Sequence, residues 1–370
     1  MVKKNKFYSY NLKKLPKGCQ LCIKGEKLVL FVTGLCPRNC YFCPVSDQKY
    51  QKDVIFANER SVKNIRDIYK EAELMDAKGA GLTGGDPLTK LWRTCFTIRK
   101  LKKKFGKNFH IHLYTSLDLI TESTLKKLHN SGLDEIRFHL DLDSKKHWDK
   151  LRLAKKFKWD IGVEIPLIPK KEKQLKELID FIQDKVDFLN LNELEVADNK
   201  QSKLSKLGYS TKNQLSYAVK GSIELGIKLI NYIEKKKYKL HVHACTAKLK
   251  DKVQLSNRVL RESKNAKHSF DIVDDEGILT RGAIYLPELK PSFGYREKIK
   301  KINKKKYLKI LKSKKINLKN KFIDENKVRI LTSKKELIKN KTKIKKLGLI
   351  PAIVKEYPTA DQFEVEVEFV

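Results

Sequence analysis

Cys36, Cys40 and Cys43 lie in Leu35-Cys36-Pro37-Arg38-Asn39-Cys40-Tyr41-Phe42-Cys43-Pro44, at x3 and x2 spacing. Three thiolates at such spacing can wrap one [4Fe–4S] cube, whose soft irons take sulfur ligands. A cube normally takes four cysteines, so a triplet leaves one iron open, and metal sites do chemistry at open positions. A structural zinc ion is the other use of these thiols. It needs a fourth ligand, and no histidine lies among these residues or soon after. A second pair, Cys19-Gln20-Leu21-Cys22, precedes the triplet, and Ile23–Lys27 reads as the turn of a hairpin. If the last strand of the domain approaches this pair, His243 and Cys245 would join Cys19 and Cys22 around a second zinc or Fe–S centre. Cys95, in a helical pattern, reads as packing.

The elements that must hold these residues alternate in kind. Apolar runs at Val29–Gly34, Ala80–Thr83, His110–Thr115, Glu135–Asp141, Ile161–Ile168, Phe188–Glu195 and Leu240–Cys245 read as strands. Amphipathic stretches between them read as helices, among them Trp92–Phe105, Glu122–Asn130, Lys145–Phe157 and Gln214–Lys236. Strand–helix repetition means a parallel sheet with right-handed crossovers. Seven units predict an α/β fold, a partial or nearly closed (β/α) barrel, with an open doubly wound sheet as the alternative. Several strands carry one apolar and one ionisable face. Arg137 and His139 oppose Ile136 and Phe138, His110 and His112 oppose Ile111 and Leu113, and His241, His243 and Cys245 share a face. Side chains alternate across a strand, so these patterns predict a polar lumen inside a ring of helices.

The triplet, with Phe42 immediately before its last cysteine and directly after the first strand, resembles the signature of the radical SAM superfamily. Thr83-Gly84-Gly85-Asp86-Pro87, ending the second strand, is similar to the family's Gly-Gly-Glu-Pro motif, with Asp86 in place of the commoner glutamate. The resemblance implies a [4Fe–4S] cluster on Cys36, Cys40 and Cys43. It also implies S-adenosylmethionine contacted by Phe42, Gly84, Gly85 and Asp86, with Arg137, His139 and Glu164 placed by their inward direction. It implies reductive cleavage of S-adenosylmethionine, hydrogen abstraction from a substrate, and a low-potential electron donor of ferredoxin or flavodoxin type. Within the superfamily the chain looks nearest to an uncharacterised group related to pyruvate formate-lyase activating enzymes.

Composition frames this reading. The chain has 370 residues and a net charge of +37, yet 69 of its 81 basic residues are lysine. Lysine is a solvated point charge rather than the planar fork that clamps phosphate, so the charge alone does not make a nucleic-acid protein. Residues 291–350 hold 22 basic and 4 acidic residues. That stretch reads as a solvated helical linker or, through residues 291–346, an RNA-tracking surface. The expected organisation is a Cys-x2-Cys hairpin extension over 1–27 and a barrel over 28–246. A basic, mainly helical extension over 247–325 and a small α+β unit over 326–370 complete it. No apolar run approaches the ~18 residues of a membrane span, and the N-terminus lacks the apolar core of a signal peptide, which predicts a cytoplasmic protein. The substrate is expected to be a small molecule, peptide or protein. An RNA-modifying radical enzyme and a zinc-stapled nucleic-acid-binding protein are the alternatives.

Overall fold

The computed structural model describes residues 3–370, in two units, one ending at Arg258 and one beginning at Val259. Seven parallel strands form the centre of the first: β2 (Lys27–Phe31), β5 (Gly79–Thr83), β6 (His110–Ser116), β7 (Glu135–His139), β8 (Asp160–Leu167), β9 (Phe188–Glu193) and β10 (His241–Cys245). They correspond to the seven apolar runs. At one edge β1 (Tyr10–Leu12) runs antiparallel to β10, and at the other the short hairpin of β3 (Phe56–Ala57) and β4 (Arg60–Ser61) adds to β2. The two edges are not hydrogen-bonded to each other, so the barrel is partial.

Helices α2 (Ile65–Leu74), α3 (Leu91–Phe105), α4 (Glu122–Asn130), α5 (Glu172–Ile182) and α6 (Ser222–Lys235) connect the strands. Thr121 caps α4, its hydroxyl accepting from the Thr124 amide. Ile111, Leu113, Ile136, Phe138, Val163, Leu189 and Leu191 are fully buried in one core with Leu101, Leu128, Leu178 and Leu229 from the helices. The alternate residues of the same strands are thereby turned away from the helices, into the lumen. Two expected helices differ. Trp148–Lys156 winds as a 3-10 helix, and α6 starts at Ser222, after Gly221 at φ +83° breaks the backbone. Residues 214–221 instead close a long loop.

The Cys-x2-Cys segment is not a hairpin. Lys17–Ile23 forms helix α1, which stops in a Schellman motif: the Glu26 amide donates to Leu21 O and that of Gly25, at φ +67°, to Cys22 O. What read as a hairpin turn is this helix stop. Helix α1 lies across the lumen. The Gly18 amide donates to Glu135 Oε2 at 3.0 Å, and a Cβ on Gly18 would stand 2.4 Å from both His112 Nδ1 and Arg137 Nη2. Only glycine allows the helix so close.

The second unit is an antiparallel sheet in the order β13 (Lys321–Asp324), β14 (Arg329–Thr332), β12 (Leu279–Tyr285), β15 (Ile350–Glu356), β16 (Glu364–Phe369), with β11 (Ile272–Val273) also paired to β12. Helix α7 (Lys334–Lys346) packs on it through Leu337 and Ile344, and the core adds Tyr295, Ile299 and Leu311 from the Lys-rich stretch. The expected division at 325/326 is therefore corrected. β12 is the middle strand of the sheet that the C-terminal strands complete, and residues 291–346 fold into this unit rather than forming a solvated linker. Apart from Lys327, which is buried against Glu356 and Glu364, their lysines point outward because leucine and isoleucine at helical spacing supply the buried face.

Replacing Gly18 by alanine forces α1 against Arg137 and His112. The overpacking is expected to cost ~1–3 kcal/mol, lowering the thermal midpoint of the first unit by roughly 3–10 °C in a melting curve.

Candidate active site

The loop after β2 carries the cysteine triplet back over the C-terminal ends of the strands. It is closed at its neck, where Gly34 N donates to Lys52 O at 2.8 Å and Gln51 N to Gly34 O at 3.0 Å, while Gln51 Nε2 reaches Cys36 O at 2.9 Å. Arg38 pins the loop to the end of β7, with Nη2 2.8 Å from Asp141 and Nη1 donating to His139 O at 3.1 Å. The Phe42 ring lies 5.8 Å from that of His139. Cys36, Cys40 and Cys43 are all half-buried, and all three line one cavity of about 740 Å³. Burial pushes all three thiols up, Cys36 to about 11, which favours their protonated form.

The Gly-Gly turn after β5 is fitted to this loop. The Gly85 amide donates to Thr33 O and the Asp86 amide to Leu35 O, each at 2.8 Å. A Cβ on Gly84 would sit 2.3 Å from Thr33 O and one on Gly85 2.4 Å from Leu35 O, so any side chain here would push the cysteine loop away. Asp86 is 1% exposed, and its carboxylate accepts four hydrogen bonds. Leu88 N and Thr115 Oγ1 donate to Oδ1 at 3.0 and 2.9 Å, and Ser116 N and Oγ to Oδ2 at 3.0 and 2.8 Å. Both oxygens that the resemblance assigns to S-adenosylmethionine are thus already hydrogen-bonded within the protein. Asp86 latches the glycine turn to the end of β6, and its short side chain keeps the carboxylate over the amide two residues on, as in an Asx turn.

Deeper in the lumen Arg137 joins four strands. Its Nε and Nη2 contact Glu135 Oε1 at 2.5 Å, and Nη1 donates to Glu164 Oε2 at 2.7 Å and Tyr114 Oη at 3.1 Å. Asn190 and Asn192 donate to Glu164 at 2.8 and 2.9 Å. Arg137, His139 and Glu164 line the cavity with Phe42, Gly84, Gly85 and Asp86. The residue-by-residue expectation therefore converges on one space, although Arg137 and Glu164 are already paired. Tyr114 shares the polar strand face of His110 and His112 that the sequence predicts, whereas Thr115, Ser116, Asn190, Asn192 and Lys27 are not singled out by the sequence. The alternation Leu189-Asn190-Leu191-Asn192 on β9 was the readable signal for two of them.

The four candidates for a second metal centre do not close around one ion, although Cys19, Cys22 and Cys245 lie near enough for Cys22 to raise the Cys19 thiol and for both to raise that of Cys245. The Cys19 thiol accepts from Asn190 Nδ2 and Arg137 Nη2 at 3.3 and 3.6 Å. Cys22 lines the cavity floor beside Lys27, Cys245 packs with Ile23 and Leu249, and His243 Nε2 faces Ser9 Oγ at 3.3 Å. Among the described residues these four do not bring three ligand atoms within 4.8 Å of one another; His110, His112 and Glu135 do. Helix α1 fills that latter space, since a Cβ on Gly18 would stand 2.9 Å from Glu135 Oε1, and Lys27 already contacts His110 Nδ1 at 2.9 Å.

Burial also lowers the lumen histidines, His110 to about 2, His139 and His243 to about 4, and His112 well below its usual 6.5. Unfolding frees each imidazole to bind a proton near pH 6.5, so the unfolded state takes up more protons below that value. Stability is complete above about pH 6.5 and falls as pH drops towards 4, by at most about 1.4 kcal/mol per pH unit for each histidine. Urea midpoints measured from pH 7 to 4.5 should decline through this window, above the range where carboxylates titrate.

Comparison with known proteins gives this geometry its context. The family model "Radical SAM superfamily" matches residues 30–160. A Methanocaldococcus jannaschii protein, provisionally named a glycyl-radical enzyme activating enzyme, is 40% identical over 286 residues, 75% of each chain. Among solved structures, Escherichia coli coproporphyrinogen III oxidase aligns at TM-score 0.36 and 9% identity over 91% of this chain and 94% of its own. Methylornithine synthase aligns at TM-score 0.39 and 13% identity over 58% of this chain and 63% of its own. On the strength of the triplet, the family match and the archaeal relative, the chain belongs to the radical SAM superfamily, within its group of proteins related to glycyl-radical enzyme activating enzymes.

Proposed function

We propose that Cys36, Cys40 and Cys43 hold a [4Fe–4S] cluster and that the adjoining cavity takes S-adenosylmethionine and the hydrogen donor of the reaction. The observation that carries this reading is the shared cavity. Three thiols, a glycine turn that no side chain could replace, and the polar lumen face one space large enough for more than one small molecule. A zinc staple needs donors gathered about a single ion, and these three thiols are not all within 4.8 Å of one another among the described residues. A cube spreads its ligands further apart.

When bound, the cluster and S-adenosylmethionine supply reductive cleavage of the sulfonium and a 5′-deoxyadenosyl radical that abstracts hydrogen. The chain's own residues do the rest. The half-buried thiols exchange protons for iron, and Gly84 and Gly85 keep the turn close against the cysteine loop. Asp86 fixes that turn, and Phe42 and His139 wall the cavity beside Cys43. Arg137, held between Glu135 and Glu164, gives the lumen its polar character. Helix α1 closes the strand N-terminal end against water. The relative's name supports a polypeptide glycine as the hydrogen donor.

Anaerobic reconstitution with iron and sulfide should give a brown protein with roughly four irons per chain that forms deoxyadenosine from S-adenosylmethionine and dithionite. Cys36→Ala, Cys40→Ala and Cys43→Ala should each lose both colour and product. A colourless protein holding only zinc at the triplet would sink the proposal.

A further inference from the structure

The connection from β9 to α6 runs from Leu194 to Gly221, far longer than the ~2–6 residues usual between a strand and helix. It grips the cysteine loop from outside. Asn199 Nδ2 donates to Cys43 O at 3.1 Å and Val45 O at 2.9 Å, and the Lys203 amide donates to Tyr41 O at 2.7 Å. Beneath it Leu204 and Val219 pack with Tyr41 and Phe42. Its outer side is unusual for a loop. Leu207, Tyr217 and Leu215 are 48%, 66% and 99% exposed, and among the described residues no carboxylate lies within 4.0 Å of Lys200, Lys203, Lys206 or Lys220.

We infer that this loop is the docking surface for an acidic protein carrying a low-potential one-electron centre. The inference rests on the cluster assignment above. Exposed apolar residues among uncompensated lysines match a small interface with a polar rim, and charge of one sign attracts a partner of the other. No residue of the loop lines the cavity, so a substrate bound here would be outside the reaction space. An electron needs only nearness to the cysteine loop, which the Cys43 and Tyr41 contacts provide. One electron leaves the carrier, which is oxidised, and reduces the metal centre; no atom is transferred.

The test compares the wild-type holoenzyme with the variant Lys200→Glu, Lys203→Glu, Lys206→Glu, Lys220→Glu, whose four ammonium groups hold nothing within the protein. With an acidic flavodoxin and its reductase as the electron source, deoxyadenosine formation should fall about 10- to 100-fold, while the dithionite-driven rate stays at the wild-type value. Flavodoxin binding to the as-isolated protein, measured by interferometry, should weaken in parallel and lose its dependence on salt. Leu215→Ser should weaken binding without changing the dithionite rate. Unchanged flavodoxin binding in the charge variant would overturn the inference. So would loss of RNA binding with flavodoxin-driven turnover intact, which would make the loop an RNA surface. Absence of deoxyadenosine from wild-type protein with dithionite would instead fail the underlying cluster assignment, whatever the binding data show.

Discussion

A guanidinium sealed in the middle of a barrel has to be neutralised, and the placement of Arg137 organises the lumen around that requirement. An isolated buried charge is prohibitively costly, so Glu135 and Glu164 flank it at 2.5 and 2.7 Å. Each carboxylate then needs its own donors. Glu135 takes the Gly18 amide, which seats α1, and Glu164 takes Asn190 and Asn192, which tie β9 to β8. The network thus couples the floor helix to four strands through hydrogen bonds among buried charged and polar groups. One guanidinium against two carboxylates leaves it one charge negative, so the +37 of the whole chain is not carried into this part of the lumen.

Above this floor, the cysteine loop is held by backbone geometry more than by its own sequence. Its neck is closed by Gly34, its underside rests on Gly84 and Gly85, and Arg38 fixes it to β7. Asp86 connects these supports to β6 through four hydrogen bonds. A carboxylate so fully satisfied is rigid, and the thiols that depend on it are preorganised. The thiols themselves remain free of strong partners, as ligands awaiting a metal should be.

The parallel strands were legible because alternation and length determine a buried βα repeat almost uniquely; even the inward face of Glu135–His139 follows from period two. The triplet was legible because its spacing has few other uses. Helix α1 was misread for a local reason. Gly25 signals a turn in a hairpin and equally the stop of a helix, and what decides between them is the space available above Glu135, a tertiary fact. The role of Asp86 was likewise hidden, since its partners Thr115 and Ser116 arrive from another strand. The second unit was divided wrongly because lysine density masked the leucine and isoleucine spacing of α7 and its neighbours. Nothing in Leu279–Tyr285 says that strands seventy residues away will pair with it.

The seat of α1 also bears on traffic. With that helix lodged across the strand N-termini and Gly18 packed against His112 and Arg137, molecules reach the lumen through the mouth beneath the cysteine loop. A well with its working parts at the rim imposes a sequence: whatever sits deepest arrives first and departs last.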